Sequence, residues 1–287
     1  MQQFSSHCVL AFCMLLFFNI HAQDDLLDDL EIDHRINTNT TATFKALKIV
    51  NFESTKLISK KDFSLIVSHR FGSLKNGIDT FFGLDDAFTR LNFVYGINDN
   101  LNIGLSRSSF QKIYEGSLKY TIIKQKNNGS PFSIVGFNAL LVNTALQKES
   151  FLQLEFKDRL SYVAQVLIAR KMSRKLSLEI VPTFFHDNFV FVDEQDNSQF
   201  ALGVGGRYKM TKRWSLNLDY GLHLNRADTS PFKNPLSIGF DLETGGHVFQ
   251  MHFTNAQGMN TNTFLGQSSG NWGDGDIFFG FNLSRRF

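Results

Sequence analysis

Ile277-Phe278-Phe279-Gly280-Phe281-Asn282-Leu283-Ser284-Arg285-Arg286-Phe287 closes the chain, and its rhythm decides the fold. Ile277, Phe279, Phe281 and Leu283 share one face of an extended strand, with Phe278, Gly280, Asn282 and Ser284 on the other, and the segment finishes on a bare aromatic. A period of two, ending this way, is the signature of a membrane-spanning strand of an outer-membrane barrel.

Working backwards, the same alternation recurs over Val248–Thr254, Leu236–Leu242, Trp214–Leu222, Phe200–Tyr208, Leu176–Phe184 and Leu160–Ile168, then Phe132–Leu141, Tyr114–Ile122, Leu101–Arg107, Thr89–Ile97 and Phe63–Phe71. The cleanest of these sets Trp214, Leu216, Leu218, Tyr220 and Leu222 against Ser215, Asn217, Asp219 and Gly221. In Phe132–Leu141 both faces are apolar, so its facing stays open. About twelve strands result, and the fold class is all-β, a transmembrane antiparallel up-and-down barrel.

The links provide an independent test, since such barrels alternate short periplasmic turns with longer outer loops. Long links at 72–87, 143–159, 186–198, 225–235 and 255–276 alternate with tight ones at 98–100, 170–175, 209–213 and 244–246. Phe44–Phe52 also looks strand-like, but counting it would break the even parity. It is expected inside the lumen or against the inner rim. A soluble two-sheet sandwich would also show alternating strands, but has no reason to sort its loops by length.

At the other end, Val9–Ile20 is an apolar run too short to span a membrane as a helix, and 1–22 reads as a cleaved secretory signal. Both cysteines, Cys8 and Cys13, lie within it, so the processed chain would hold neither a disulfide nor a thiolate-bound metal. Residues 23–61 read as an acidic, then Thr-rich periplasmic segment, and 62–287 as the barrel. With 29 basic and 27 acidic residues the chain gives no sign of a nucleic-acid partner. Its 31 phenylalanines fit strands whose every second side chain meets lipid.

Six motifs carry a resemblance: His69-Arg70-Phe71-Gly72, Phe82-Gly83-Leu84-Asp85, Ala169-Arg170-Lys171, Gly203-Val204-Gly205-Gly206-Arg207-Tyr208-Lys209, Thr244-Gly245-Gly246-His247-Val248-Phe249-Gln250 and Gly280-Phe281-Asn282. In this order and spacing, from about Thr43 to Phe287, the chain resembles the Bacteroidota β-barrel family catalogued as domain of unknown function 5777. That resemblance implies an outer-membrane barrel of a Gram-negative bacterium and lends no activity.

The residues themselves point to no chemistry of catalysis. His247 and His252 are five apart and face opposite sides of their strand, and His69, His186 and His223 have no carboxylate or second histidine two residues away, apart from Asp187 beside His186, so no metal site is expected. Gly203-Val204-Gly205-Gly206 lies inside a strand instead of before a helix, which argues for room on the wall and against phosphate binding. Ser108 and Ser109 lack any motif tying them to a histidine, and no catalytic residue or cofactor is expected.

Alternation turns Arg70, Arg90, Glu115, Lys119, Glu179, Arg207, Asp219, Asp241, Glu243 and His252 inward as lumen-lining candidates. Their mixed signs suit a paired network or a weakly selective conduit. Twelve strands lie between the filled eight and the open sixteen, which predicts a narrow or plugged lumen. The expected function is a narrow channel or transporter for a small solute, in contact with outer-membrane lipid. The alternative is a structural or docking protein with a closed lumen that binds a periplasmic or surface partner.

Overall fold

The computed structural model describes Thr40 and residues 43–287. The signal assigned to 1–22 and the acidic run 24–33 lie outside the described residues.

Twelve strands follow one another: β1 (Phe63–Ser73), β2 (Ala87–Asn98), β3 (Leu101–Ser108), β4 (Ile113–Ile123), β5 (Ser133–Asn143), β6 (Leu160–Lys171), β7 (Leu176–Asp187), β8 (Ser198–Lys209), β9 (Trp214–His223), β10 (Leu236–Thr244), β11 (His247–Thr254) and β12 (Phe278–Arg286). Each pairs antiparallel with its neighbours in sequence, and β1 pairs with β12 to close the barrel, with Val67 opposite Leu283 and Ser64 opposite Arg286. Closure leaves no free strand edge, so the wall's backbone groups pair between neighbouring strands, as hydrocarbon requires, apart from irregularities such as the break in the β6–β7 ladder opposite Pro182. The turn between β2 and β3 is Asp99-Asn100, whereas the link between β11 and β12 runs from Asn255 to Ile277 and contains the short helix α1 (Thr261–Gly266).

Side chains sort as a half-lipid wall demands. Leu91, Phe93, Tyr95, Leu118, Leu218, Phe240, Phe249 and Phe253 are exposed on the outer surface, while Asn92, Lys119, Asp219, Asp241 and Gln250 alternate with them and are buried inside. On the outer face Tyr120 lies across Gly136, and its hydroxyl donates to Asn138 Oδ1 at 3.2 Å.

The inner face is not uniform. On β5 to β8 it carries Val135, Phe137, Ala139, Leu141, Val163, Leu167, Val181, Phe185 and Ala201, all buried in one apolar cluster. The undecided strand thus turns Val135, Phe137 and Leu141 inward, and aromatic side chains do not all go to lipid. The rest of the wall is largely polar inside.

Two segments account for this division. Residues 43–58, which include the Phe44–Phe52 stretch expected inside the lumen or against the inner rim, are mostly buried within the barrel, and Ser59, Lys60 and Lys61 are exposed ahead of β1. From the opposite end, the 255–277 link folds inward.

Candidate functional site

The inner insert is a tight hairpin over residues 47–54. The Ile49 N–H donates to the Phe52 carbonyl at 2.9 Å, the Ser54 N–H donates to the Leu47 carbonyl at 2.9 Å, and Lys48 bridges to Glu53. At its tip the N–H groups of Val50, Asn51 and Phe52 converge on one oxygen, Asp219 Oδ2 of β9, at 3.1, 2.7 and 3.2 Å. Three donors around one carboxylate oxygen satisfy a turn that could not otherwise be buried.

The wall makes further bonds to this insert. Asn51 donates to Ser237 Oγ at 2.8 Å and accepts from Arg70 Nη2 at 3.0 Å. Gln250 donates to the Ile49 carbonyl at 3.0 Å and to Asp241 Oδ1 at 2.9 Å. Glu179 accepts from the Thr55 N–H at 3.0 Å, and Arg207 Nη1 donates to the Thr43 carbonyl at 3.4 Å. Glu243, half-buried at the inner mouth, pairs with Lys45.

Glu53 sits between two ammonium groups, Lys48 Nζ at 2.9 Å and Lys119 Nζ at 3.0 Å. Burial alone would push its carboxyl up, but those two charges outweigh it and hold it at about 2. Glu53 is therefore ionised at any physiological pH.

Two wall glycines make the close fit of this insert possible. A Cβ on Gly203 would stand 2.4 Å from the Phe52 ring, and one on Gly205 would stand 2.5 Å from Ile49 Cδ1. The Gly203-Val204-Gly205-Gly206 run is thus clearance for the insert, in line with the reading of those glycines as room on the wall.

The outer insert is built differently. Thr263 Oγ1 accepts from the Asn260 N–H at 3.2 Å at the start of α1, and Phe264 and Leu265 are fully buried against the apolar half-wall. Polar ties hold it as well: Arg90 donates to the Met259 carbonyl at 2.8 Å, Asn260 to Glu115 Oε2 at 2.7 Å, Asn262 to Asp187 Oδ1 at 2.8 Å, Arg226 to the Leu265 carbonyl at 2.8 Å, and Trp272 Nε1 to the Leu236 carbonyl at 3.0 Å. Arg90 and Glu115 also pair directly at 2.6 Å. The two inserts touch at mid-barrel, where the Phe52 and Phe264 rings meet edge to face with centroids 5.0 Å apart.

The ten candidates thus divide. Arg70, Lys119, Glu179, Arg207, Asp219 and Glu243 bond to the inner insert, Arg90 and Glu115 hold the outer one, and Asp241 bonds to Gln250. His252 is buried near Arg70, beneath Gly280, with no hydrogen bond to either ring nitrogen among the described residues. Sequence reasoning did not single out Glu53, Asn51, Gln250, Asn282 or Asp187. Gln250 and Asn282 share the inward parity of the candidates but carry no charge to mark them, and Glu53 lies outside every counted strand. Among the described residues no three His, Cys, Asp or Glu side chains are grouped as a metal would need.

The NanC porin has a similar fold, with a TM-score of 0.50 and 9% identity over 77% of this chain and 97% of that one. The KdgM porin is similar to the same degree, with a TM-score of 0.50 and 9% identity over 78% of this chain and 99% of that one. No curated protein sequence matches the chain. The family model of the Membrane bound beta barrel domain (DUF5777) matches residues 44–287, a span that takes in the inner insert as well as the wall. The chain belongs to this family of membrane-bound β-barrel domains, and its twelve-stranded closed barrel has a porin-like fold.

Proposed function

We propose that the protein is a gated outer-membrane channel for a small polar solute, closed here by its own inner hairpin, and that it has no enzymatic role. The observation that carries this reading is the pairing of the wall charges. In a barrel packed shut for good, inward charges are expected to satisfy one another. Here Asp219, Glu179, Lys119, Arg70 and Arg207 each bond to a segment that belongs to no strand. Withdrawing that segment would leave a polar, charged half-wall to water, which is the lining of a conduit. The motif resemblance adds a Bacteroidota source to the proposal.

The rival reading is a closed-lumen docking protein, and the two inserts meeting at Phe52 and Phe264 favour it to the extent that they block the axis. Planar-bilayer recording separates the two. The full chain should be silent or flicker, and a chain lacking residues 43–58 should show discrete, stable conductance steps. Silence from a shortened barrel that still shows heat-modifiable gel migration would leave the docking reading standing.

A further inference from the structure

At the inner mouth, between the hairpin stem and β4–β5, lies a cavity of about 630 Å³, within the range of small-molecule sites. Lys56 and Lys124 line it, together with Lys45, Glu243 and several threonine and serine hydroxyls. The charges here do not close. Glu243 is taken by Lys45, Arg286 by Asp62, and Arg207 lies beside Asp241. Lys56 has no acid of its own: among the described residues its ammonium donates to the Lys45 carbonyl and shares Glu243 with Lys45, and Lys124 has no acidic partner there. The remaining acid on the lining, Asp99, is engaged by the Lys60 N–H at 2.9 Å.

A half-buried ammonium that must share one acid, Glu243, with Lys45 is costly, and burial, only partly offset by Glu243 and reinforced by Lys45, Arg286 and Arg207, lowers its affinity for its proton. An anion in the cavity would remove that cost. We propose that this vestibule is a binding site for a small oxyanion, a carboxylate or phosphate, held by Lys56 and Lys124 with the lining hydroxyls as further donors. It rests on the channel reading for its purpose, as the place where a solute is held on the inner side, but its chemistry stands apart from conduction.

The test is isothermal titration of the full, folded chain in detergent with sodium succinate, inorganic phosphate and, as a neutral control, erythritol. Saturable binding of succinate, phosphate or both, with none of erythritol, supports the site, and the pattern says which oxyanion it prefers. Lys56→Gln should weaken that binding about tenfold, while Lys56→Arg keeps it within about threefold. Lys157→Gln, on an exposed loop, should leave it unchanged. No binding of either oxyanion up to about 10 mM, or equal affinity in the wild type and Lys56→Gln, overturns the proposal. Binding without conductance from the shortened barrel would sink the channel and keep the site. Conductance without binding would do the reverse.

Discussion

The hairpin over residues 47–54 joins the wall through a charged centre, with Glu53 between two lysines and three amides on Asp219, alongside the buried side chains Leu47, Ile49 and Phe52, whereas the outer insert has no such ionic centre and seats Phe264 and Leu265 in an apolar half-wall. Exchanging a protein hydrogen bond for one to water costs only about 1 kcal/mol net, while exposing a buried phenylalanine costs about 2–3 kcal/mol. Tethering differs too. The hairpin is joined to the sheet through β1 alone, but the outer insert is held at both ends, by β11 and β12. On the channel reading proposed above, the segment with the ionic centre and one tether is the gate, and the outer insert is its seat.

The largest expected effect falls on the seat. Phe264→Ala removes a ring packed against Phe52 and the apolar half-wall, and should destabilise the barrel by about 3–5 kcal/mol in denaturant titration in micelles. A loss under about 1 kcal/mol would mean the outer insert is not seated by apolar burial.

Next comes the ionic centre of the gate. Glu53→Gln leaves Lys48 and Lys119 buried without their acid and should cost about 3 kcal/mol. That loss should be confined to the hairpin, so its amides exchange faster while those of α1 do not. Loosening of both inserts together would erase the distinction between them.

The same carboxyl sets an acid dependence. Its pKa falls from 4.5 to about 2 on folding, so its contribution is complete above 4.5 and is lost as pH falls towards about 2. About 3 kcal/mol of hairpin stability should disappear over that window and be missing from the Glu53→Gln profile. A profile that Glu53→Gln leaves unaltered would place the acid dependence elsewhere.

Smaller again is Gly203→Ala, whose methyl would meet the Phe52 ring at 2.4 Å. It should cost about 1–3 kcal/mol by lifting the hairpin tip, seen as faster exchange at Asn51 and Phe52. Smallest is Lys157→Ala: the ion pair to Glu155 is exposed, and the midpoint of unfolding should not move measurably.

The wall was legible because each of its strands repeats a rule that is local: Trp214–Leu222 read by alternation is β9, Trp214–His223, almost residue for residue. The facing of β5 was not, because its inner side packs against Phe52 and Leu265, partners far away in sequence, and so reads as apolar as its lipid side. Alternation put Asp219 on the inward face but could not name what it holds, since the three amides it accepts belong to residues 167 to 169 positions earlier. Phe44–Phe52 has the composition of a strand, yet Lys48 and Glu53 cross-link it into a hairpin that no period of two announces. Asp187 sits at a strand end and meets Asn262 of α1, a six-residue helix inside a long link, too short to announce itself by periodicity.

Amide hydrogen exchange on the full chain in detergent tests the assignment of the gate most directly. If the hairpin is displaceable on its own, the N–H groups of Val50, Asn51 and Phe52 open well before those of Thr263, Phe264 and the flanking strands β9 and β10. Exchange of the hairpin amides at the same slow rate as α1 and the wall would show one fused core and contradict the account.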